Sequence, residues 1–290
     1  MKIFCTGNSK KKHFYETFYF IQNILLEYNV ELFIDQQINS TNGMKLKKLS
    51  FNDLNKQNDI DFVFSIGGDG ALLNTIRNMQ SSQKPVLGIH IGNLGFLNQI
   101  NKNNIKKNLD ELLKSKDYTI IKHSLLSGII KNKTQKMELL ALNEIAINHG
   151  NLTRMIKLRV SLNNEFLNDY ACDGIIISTP LGSTAYSLSA GGPIVEPDVN
   201  AVTLTPISPH SLSARPIVVN DKSKIKINFI DLNSDINIAA DGQIHKTIKS
   251  KSIVYLCKSN IYAKFVYLKS MDSYYAKLRN KLNWNGSNNS

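Results

Sequence analysis

Cysteine and long apolar runs are scarce in this chain of 290 residues. Its three cysteines, Cys5, Cys172 and Cys257, are far apart and form neither a CxxC pair nor a Cys/His cluster at metal-ligand spacing. No segment approaches the roughly 20 consecutive apolar residues that a membrane-spanning helix needs, and the first residues lack the apolar core of an export signal. We therefore expect reduced thiols, a cytoplasmic location, no membrane contact and no metal ligands in the chain itself.

The chain also lacks the pattern of a nucleic-acid binder, although it is basic. Its formal net charge is +12 at pH 7, but the basic residues are scattered and no Lys/Arg stripe is interleaved with aromatic residues. We interpret the charge as solvated surface with some attraction for phosphate-rich ligands. With 42% hydrophobic residues, the chain can bury a sizeable core in two modest domains.

The first third of the chain alternates strand and helix patterns. Continuous apolar runs at 62–66 and 85–89 predict strands covered on both faces. Residues 13–28 and 71–79 carry apolar side chains at helical spacing. The alternation predicts a doubly wound α/β domain with a parallel sheet, at residues 1–117. Further elements are predicted as strands at 2–6 and 30–34 and as a helix at 104–116.

Short β-branched runs separated by polar breaks follow from about residue 118. They predict an all-β, sandwich-like second domain over 118–268. The runs lie at 120–121, 127–130, 145–147, 157–162, 175–178, 225–229, 236–239 and 253–256. A short helix is predicted at 274–282, within a C-terminal segment at 269–290.

The sequence Gly67-Gly68-Asp69-Gly70 separates the apolar strand from the helix at 71–79. Open α/β sheets bind ligands at such a position, because backbone N–H groups at the start of a helix face phosphates there. A carboxylate beside phosphates needs compensation by a proton or a metal ion. Asp69 is therefore a candidate to accept a proton from an attacking hydroxyl or to help position Mg²⁺. The alternative is a tight turn in which Asp69 caps the next helix.

Two common phosphate-binding motifs are absent from the sequence. The chain has no GxxxxGK[ST] and no GxGxxG between a strand and a helix. Their absence disfavours P-loop enzymes and hydride-transferring dehydrogenases. The glycine turn is then predicted to serve a different class of phosphoryl-transfer enzyme.

A long run of small and hydroxyl residues extends from Gly182 to Pro193, after a predicted buried strand. Its Ser, Thr and Tyr side chains offer donors and acceptors without bulk, which suits the edge of a base and the hydroxyls of a ribose. The apolar strand before it and the turn after it favour a ligand loop over a flexible linker.

Two further polar groups interrupt apolar surroundings. Asn143 and Glu144 need partners if they are buried, either in a ligand site or in a structural network. The sequence Asp241-Gly242-Gln243 is equally compatible with a simple turn.

Taken together, these motifs resemble those of the NAD kinase family, and the resemblance spans nearly the whole chain. The matching segments are GGDG at 67–70, GNLGFL at 92–97, LNE at 142–144, the run at 182–193, SPHSLSARP at 208–216 and DGQ at 241–243. Lipid kinases and phosphofructokinases share the GGDG element, so the run at 182–193 is the discriminating piece. The sequence departs from the family pattern at Ala71, His90 and Leu181.

The resemblance implies transfer of the γ-phosphate of ATP, or in some members of polyphosphate, to the 2′-hydroxyl of the adenosine ribose of NAD. It implies that Asp69 accepts the proton, that Gly68 and Gly70 shape the phosphate-facing turn, and that Mg²⁺ or another divalent ion accompanies ATP. It implies a homodimer or homotetramer whose C-terminal segment packs on the first domain. The implied dinucleotide contacts are Asn143, Glu144, Arg154, Asp173, Thr184, Ala185, Tyr186, Ser187, Leu188, Ser189 and Gln243.

Two other functions stay open at the level of sequence. A lipid or sphingoid-base kinase would share the GGDG chemistry but needs an apolar acceptor channel, and the hydroxyl-rich segment Ser183–Ser189 argues against such a channel. A non-catalytic dinucleotide sensor would keep the binding loops without phosphoryl transfer, and the retained Asp69 argues against it.

Overall fold

The computed structural model describes residues 1–39, 46–54, 56, 59–92, 95–149, 155–230 and 235–284. The chain forms two compact units. Unit 1 comprises Met1–Lys122 with Ala263–Ser290, and unit 2 comprises His123–Tyr262. Within the described ranges, none of the helices combines the length and the apolar character needed to cross a membrane.

Unit 1 alternates strands with helices. In chain order its first elements are β1 (Lys2–Gly7), α1 (Phe14–Glu27), β2 (Glu31–Asp35), β3 (Lys47–Leu49), α2 (Phe51–Leu54), β4 (Phe62–Gly67), α3 (Asp69–Met79), β5 (Pro85–His90), β6 (Ile100–Asn101) and α4 (Ile105–Asp110). The strands pair in parallel in the order β5, β4, β1, β2 and β3, with β6 beside β5. This confirms the predicted doubly wound α/β fold.

The strand order creates a switch point between β1 and β4. The chain leaves β1 toward β2 and β3 and then returns to form β4 on the other side of β1. Ligands of open α/β sheets bind beyond the carboxyl ends of the strands at such a point. The segments that follow Gly7 and Gly67 therefore start at neighbouring positions, since Gly7 pairs with Ile66.

Burial on both faces explains the apolar sequence of the central strands. Every residue of β4 is buried, as expected for a parallel strand covered by helices. The α1 side chains of Phe18, Ile21 and Leu25 pack into the same core as β1, β4 and β5. Burial of each such side chain stabilises the fold by roughly 1.5–3 kcal/mol.

Unit 2 consists mainly of antiparallel strands. The next elements are β7 (Tyr118–Lys131), β8 (Lys136–Ala141), β9 (Glu144–His149), β10 (Ile156–Leu162), β11 (Glu165–Cys172), β12 (Gly174–Ser178), α5 (Tyr186–Ser189), β13 (Ala201–Ile207), β14 (Ile217–Asn220), β15 (Ile225–Phe229), β16 (Asp235–Ala240), β17 (Ile244–Lys249) and β18 (Ile253–Leu268). One sheet has the order β14, β13, β12, β9, β16 and β17, and in the other β10 lies between β11 and β15. Side chains of both sheets share one buried apolar cluster, which confirms the predicted all-β, sandwich-like domain.

The C-terminal part of the chain completes unit 1. The end of β18 pairs in parallel with β5, and α6 (Tyr274–Leu282) follows with the predicted bounds. Ser273 caps α6 by accepting a hydrogen bond from the backbone N–H of Ala276 at 3.2 Å.

Two sequence predictions about helices were wrong in detail. The predicted helix at 104–116 is divided into a 3₁₀ turn at Lys102–Asn104, α4, and a π-helical turn at Glu111–Ser115. The helix predicted to begin at residue 71 begins at Asp69. The glycine turn therefore supplies the first residues of α3, because Gly68 is its N-cap and Gly70 adopts helical geometry.

Strand predictions failed where polar residues interrupt the apolar pattern. The runs at 120–121 and 127–130 belong to one strand, β7, and the run at 253–256 is the start of the 16-residue β18. Backbone hydrogen bonding continues through polar residues because it does not depend on the side chain. The strands not predicted at all are β3, β6, β8, β11, β13, β14 and β17.

Candidate active site

The carboxylate of Asp69 is held by the segment that follows β5. Its Oδ2 atom accepts the backbone N–H of Phe96 at 2.8 Å. Its Oδ1 atom accepts three donors, the backbone N–H groups of Leu97 at 3.3 Å and Asn98 at 3.2 Å and the Nδ2 amide of Asn98 at 2.8 Å. The hydrogen bonds of the carboxylate therefore orient it toward residues 96–98. This arrangement differs from the alternative considered for the sequence, in which Asp69 only caps the next helix.

The two oxygens of Asp69 differ in the acceptor capacity that remains. A carboxylate has about four lone-pair positions, two on each oxygen. Three donors occupy Oδ1, whereas one donor occupies Oδ2. Among the described residues, the half-buried Asp69 thus keeps one free acceptor position on Oδ2.

Gly95 allows the close approach of this segment. A Cβ atom at position 95 would lie 2.1 Å from both carboxylate oxygens of Asp69. Real Cβ atoms do not come so close, so any other residue would displace the carboxylate or the segment. The predicted GNLGFL match contains this glycine, while its residues Asn93 and Leu94 lie outside the described part of the chain.

A lysine lies against the glycine turn from the segment after β1. The Nζ atom of Lys11 is 3.4 Å from the position that a Cβ on Gly68 would take and 3.6 Å from the one on Gly92. His90 lies at the end of β5 in the same region, and burial lowers the pKa of its imidazole. Gly68 is half-buried and Gly70 is exposed. An ammonium beside the start of α3 provides the charge that a phosphate requires.

In unit 2, Asn143 and Glu144 lie at the start of β9 and are buried. The carboxylate of Asp241 accepts the backbone N–H groups of both, at 2.8 Å and 3.3 Å. Thr179 donates its backbone N–H to the carbonyl of Asn143 at 2.8 Å. These contacts join the LNE and DGQ segments with the end of β12 in one network.

Two acceptor atoms of this network have no partner among the described residues, Asn143 Oδ1 and Glu144 Oε2. Burial and the nearby Asp241 carboxylate raise the pKa of Glu144 to about 7, although the backbone N–H of Tyr186 partly offsets this. Buried acceptors without partners are rare in proteins, and a ligand that supplies donors is one arrangement that would satisfy them. The hydroxyls of a ribose are suitable donors.

The run at 182–193 is folded into two helical turns and is anchored by its own hydroxyls. Ser183 Oγ donates to the carbonyl of Pro180 at 2.6 Å and accepts the backbone N–H of Val195 at 2.9 Å. Ser187 is buried, with its Oγ 2.9 Å from Thr205 Oγ1. Among the predicted contacts in this run, Tyr186 and Ser189 are exposed, and Thr184, Ala185 and Leu188 are half-buried.

The structure brings some of the predicted dinucleotide contacts together and separates others. Glu144 pairs across the sheet with Ser178, whereas the half-buried Asp173 precedes the opposite end of β12. Gln243 is exposed and lies in the turn formed with Asp241. Arg154 lies outside the described residues.

Sequence reasoning missed two residues of these sites, Lys11 and the capping role of Asp241. The run of lysines at 10–12 gives no signal that distinguishes one of them, and only the adjacency of β1 and β4 places Lys11 at the glycine turn. Asp241 was noted in a possible turn. Its position directly after the apolar run at 236–240 was the available signal, since a carboxylate that is buried there needs donors.

Family models match both parts of the chain. The model of the ATP-NAD kinase N-terminal domain matches residues 7–118, and the model of the ATP-NAD kinase C-terminal domain matches residues 142–268. The chain belongs to the ATP-NAD kinase family. This membership confirms the resemblance carried by the motifs and argues against the lipid-kinase alternative.

Relatives in this family are similar over most of their length. The NAD kinase of Thermoanaerobacter sp. (strain X514) is 36% identical over 259 residues, 89% of this chain and 90% of the relative. The NAD kinase of Buchnera aphidicola subsp. Schizaphis graminum (strain Sg) is 38% identical over 262 residues, 90% of this chain and 86% of the relative. The chain is therefore a kinase, and its reaction is the phosphorylation of NAD to NADP.

Solved structures of NAD and NADH kinases have the same fold. Yeast NADH kinase complexed with NADH is similar with a TM-score of 0.87 and 25% identity, over 99% of this chain and 88% of that chain. An NAD kinase from Archaeoglobus fulgidus in complex with ATP is similar with a TM-score of 0.74 and 25% identity, over 98% of both chains. The predicted two-domain fold is thus confirmed for this ATP-NAD kinase family member.

Proposed function

We propose that the chain transfers the γ-phosphate of ATP to the 2′-hydroxyl of the adenosine ribose of NAD, and that Oδ2 of Asp69 accepts the proton of that hydroxyl. The observation that carries this proposal is the free acceptor position on Oδ2 beside the fully occupied Oδ1. A general base must have a lone pair directed at the proton it removes. The similarity to an ATP-bound archaeal NAD kinase supports ATP as the donor.

Alignment and charge supply most of the rate in phosphoryl transfer, because the transition state spreads charge over the transferred group. We assign the phosphate contacts to the backbone of Gly68 and Gly70 and to the ammonium of Lys11, which lies beside this turn. Removal of the proton by Asp69 adds a factor of about 10² to 10⁴. Loss of Asp69 therefore lowers turnover without abolishing substrate binding.

The described residues do not form a resident metal site of their own. No group of three or more His, Cys, Asp or Glu side chains placed to hold a metal occurs in the described ranges. The Oδ1 atom of Asp69 is occupied by three N–H donors and is not open to a cation. Mg²⁺ is commonly bound through substrate phosphates and few protein oxygens. We propose that Mg²⁺ arrives with ATP as part of the substrate and neutralises its charge.

The dinucleotide is proposed to bind through the buried acceptors of unit 2. Asn143 Oδ1 and Glu144 Oε2 would accept hydrogen bonds from ribose hydroxyls, since both lack partners among the described residues. The exposed ring of Tyr186 would contact the base. The remaining proposed contacts are Arg154, Asp173, Thr184, Ala185, Ser187, Leu188, Ser189 and Gln243.

The decisive experiment incubates the purified protein with NAD, ATP and Mg²⁺ and measures NADP. NADP formation is expected, and a protein that binds NAD without forming NADP would be a sensor instead. A parallel reaction with polyphosphate in place of ATP tests the second donor class. Asp69→Asn is expected to reduce kcat by at least about 10²-fold, with a small change in the Kd for NAD. Unchanged kcat in a folded variant would remove Asp69 from this role.

We propose three further properties, which are the location, the oligomeric state and the domain division. A cytoplasmic location agrees with the free thiols of Cys5, Cys172 and Cys257. A homodimer or homotetramer is proposed from the family resemblance, and sedimentation equilibrium tests it. We also propose the domain division 1–117, 118–268 and 269–290, which limited proteolysis tests.

A further inference from the structure

The C-terminal helix α6 places a buried lysine beside the segment that holds Asp69. Lys277 is 7% exposed, and its Nζ atom donates a hydrogen bond to the backbone carbonyl of Asn98 at 3.2 Å. A buried ammonium is costly unless acceptors and opposite charges compensate it. The burial of Lys277 therefore indicates a specific role for its ammonium, unlike that of the exposed lysines on the surface.

Asn98 connects this ammonium to the proposed base. Its side chain is fully buried at 0% exposure. Its backbone N–H and its Nδ2 amide both donate to Asp69 Oδ1, while its carbonyl accepts from Lys277. One residue is thus bonded on one side to the carboxylate and on the other side to the ammonium.

The surroundings of Lys277 provide the compensation that its charge requires. The ring of Tyr267 lies 6.0 Å from Nζ, within cation–π range. Burial lowers the pKa of the Lys277 ammonium, and the nearby carboxylates of Asp69 and Asp272 act in the opposite direction.

We infer that Lys277 is a positioning residue for phosphoryl transfer, acting through Asn98 to fix the orientation of the Asp69 carboxylate so that Oδ2 faces the substrate hydroxyl. The ammonium fixes the Asn98 carbonyl, and Asn98 in turn occupies Oδ1. Occupied Oδ1 leaves Oδ2 to meet the hydroxyl proton. This inference rests on the proposed role of Asp69.

The test replaces Lys277 by methionine, which has a similar length and no charge. Lys277→Met is expected to lower kcat by at least about 10-fold, because the base is less well oriented. The KM values for NAD and ATP should change less than about two-fold, since Lys277 is proposed to act through Asn98 and to contact neither substrate. Lys277→Arg, which keeps the charge and the donors, should restore most of kcat. Arg279→Met removes an exposed cation of the same helix and serves as the control.

A comparison of kcat with stability separates a positioning role from a loss of packing. Urea denaturation of Lys277→Met and Lys277→Arg reports packing, and kcat should fall further in Lys277→Met than any difference in stability between the two variants explains. The control Arg279→Met should leave kcat and both KM values unchanged. If Lys277→Met does not fold, Lys277→Gln keeps an N–H donor, removes the charge, and should show a fall in kcat with the same small change in KM.

The double variant Lys277→Met with Asp69→Ala distinguishes the proposed role of Lys277 from the proposed role of Asp69. If Lys277 acts through Asp69, then Lys277→Met should produce no further loss in the Asp69→Ala background. Wild-type kcat in Asp69→Ala would overturn the proposed base. A large loss in Asp69→Ala together with wild-type kcat in Lys277→Met would overturn the role of Lys277 alone.

Discussion

Asp241 Oδ1 lies 2.8 Å from the backbone nitrogen of Asn143 and accepts its N–H group. The same carboxylate accepts the N–H groups of Leu142 at 3.2 Å and Glu144 at 3.3 Å. Three consecutive N–H groups therefore converge on one buried side chain. Because residues 143 and 144 provide the proposed ribose acceptors, the geometry of that contact depends on Asp241.

Replacing Asp241 by alanine should therefore cost both stability and affinity. The substitution leaves buried N–H groups without an acceptor, each at about 1–3 kcal/mol. We expect the free energy of unfolding to fall by at least about 2 kcal/mol and the KM for NAD to rise. Urea denaturation and steady-state kinetics measure these changes. Asp235→Ala is the control, because Asp235 is the exposed first residue of β16, the strand that Asp241 follows. An equal loss in that variant would contradict the capping role of Asp241.

Glu144 should make stability depend on pH with an unusual sign. Its pKa is raised from 4.5 to about 7, first by burial and then by Asp241. The folded state then binds a proton more tightly than the unfolded state, so stability is greatest below pH 4.5 and falls as the pH rises to about 7. Glu144→Gln should remove this dependence and add at most about 3 kcal/mol at pH 8.

Urea denaturation at pH 5 and pH 8 tests the sign for Glu144. The variant should be close to the wild type at pH 5 and more stable at pH 8. Glu165→Gln, at an exposed position of unit 2, should leave the difference between the two pH values unchanged. A stabilisation by Glu144→Gln that is the same at both pH values would mean that the carboxyl is not protonated on folding.

The elements that the sequence predicted well are those with uniform surroundings. β4 is buried on both faces and has a continuous apolar sequence, and α6 has a capping serine at position 273 and a predicted end that matches the structure. Glycine at 67–70 marked the boundary between strand and helix. Such signals depend on local sequence alone, which explains why they were readable.

The contacts that were not predictable join residues distant in the chain. Lys277 and Asn98 are 179 positions apart, and no local pattern connects them. Lys277 stands in a helix whose exposed face is basic, so its burial is visible only once the fold is known. The same holds for Lys11, whose position depends on strand order and not on spacing.

Tyr186 and Ser187 are adjacent but should have opposite effects when replaced. Tyr186 is 43% exposed, so Tyr186→Ala should raise the KM for NAD several-fold with little loss of stability. Ser187 is buried and bonded to Thr205, so Ser187→Ala should cost about 1 kcal/mol of stability with a smaller change in KM. Thermal unfolding and NAD titration of both variants provide the comparison. The reverse pattern would show that the hydroxyl of Ser187 contributes more to dinucleotide binding than the ring of Tyr186.

Gly95→Ala should disable the proposed base without unfolding unit 1. The new Cβ would lie 2.1 Å from both carboxylate oxygens of Asp69, so the carboxylate must move and lose its bond to Phe96. A displacement of about 1 Å at a reacting group can cost about 10²-fold in rate, and kcat should fall by that order. In the Asp69→Ala background the space is open, so Gly95→Ala should then have almost no effect on residual kcat. Additive losses in the double variant would show that Gly95 acts on the segment itself and not through Asp69.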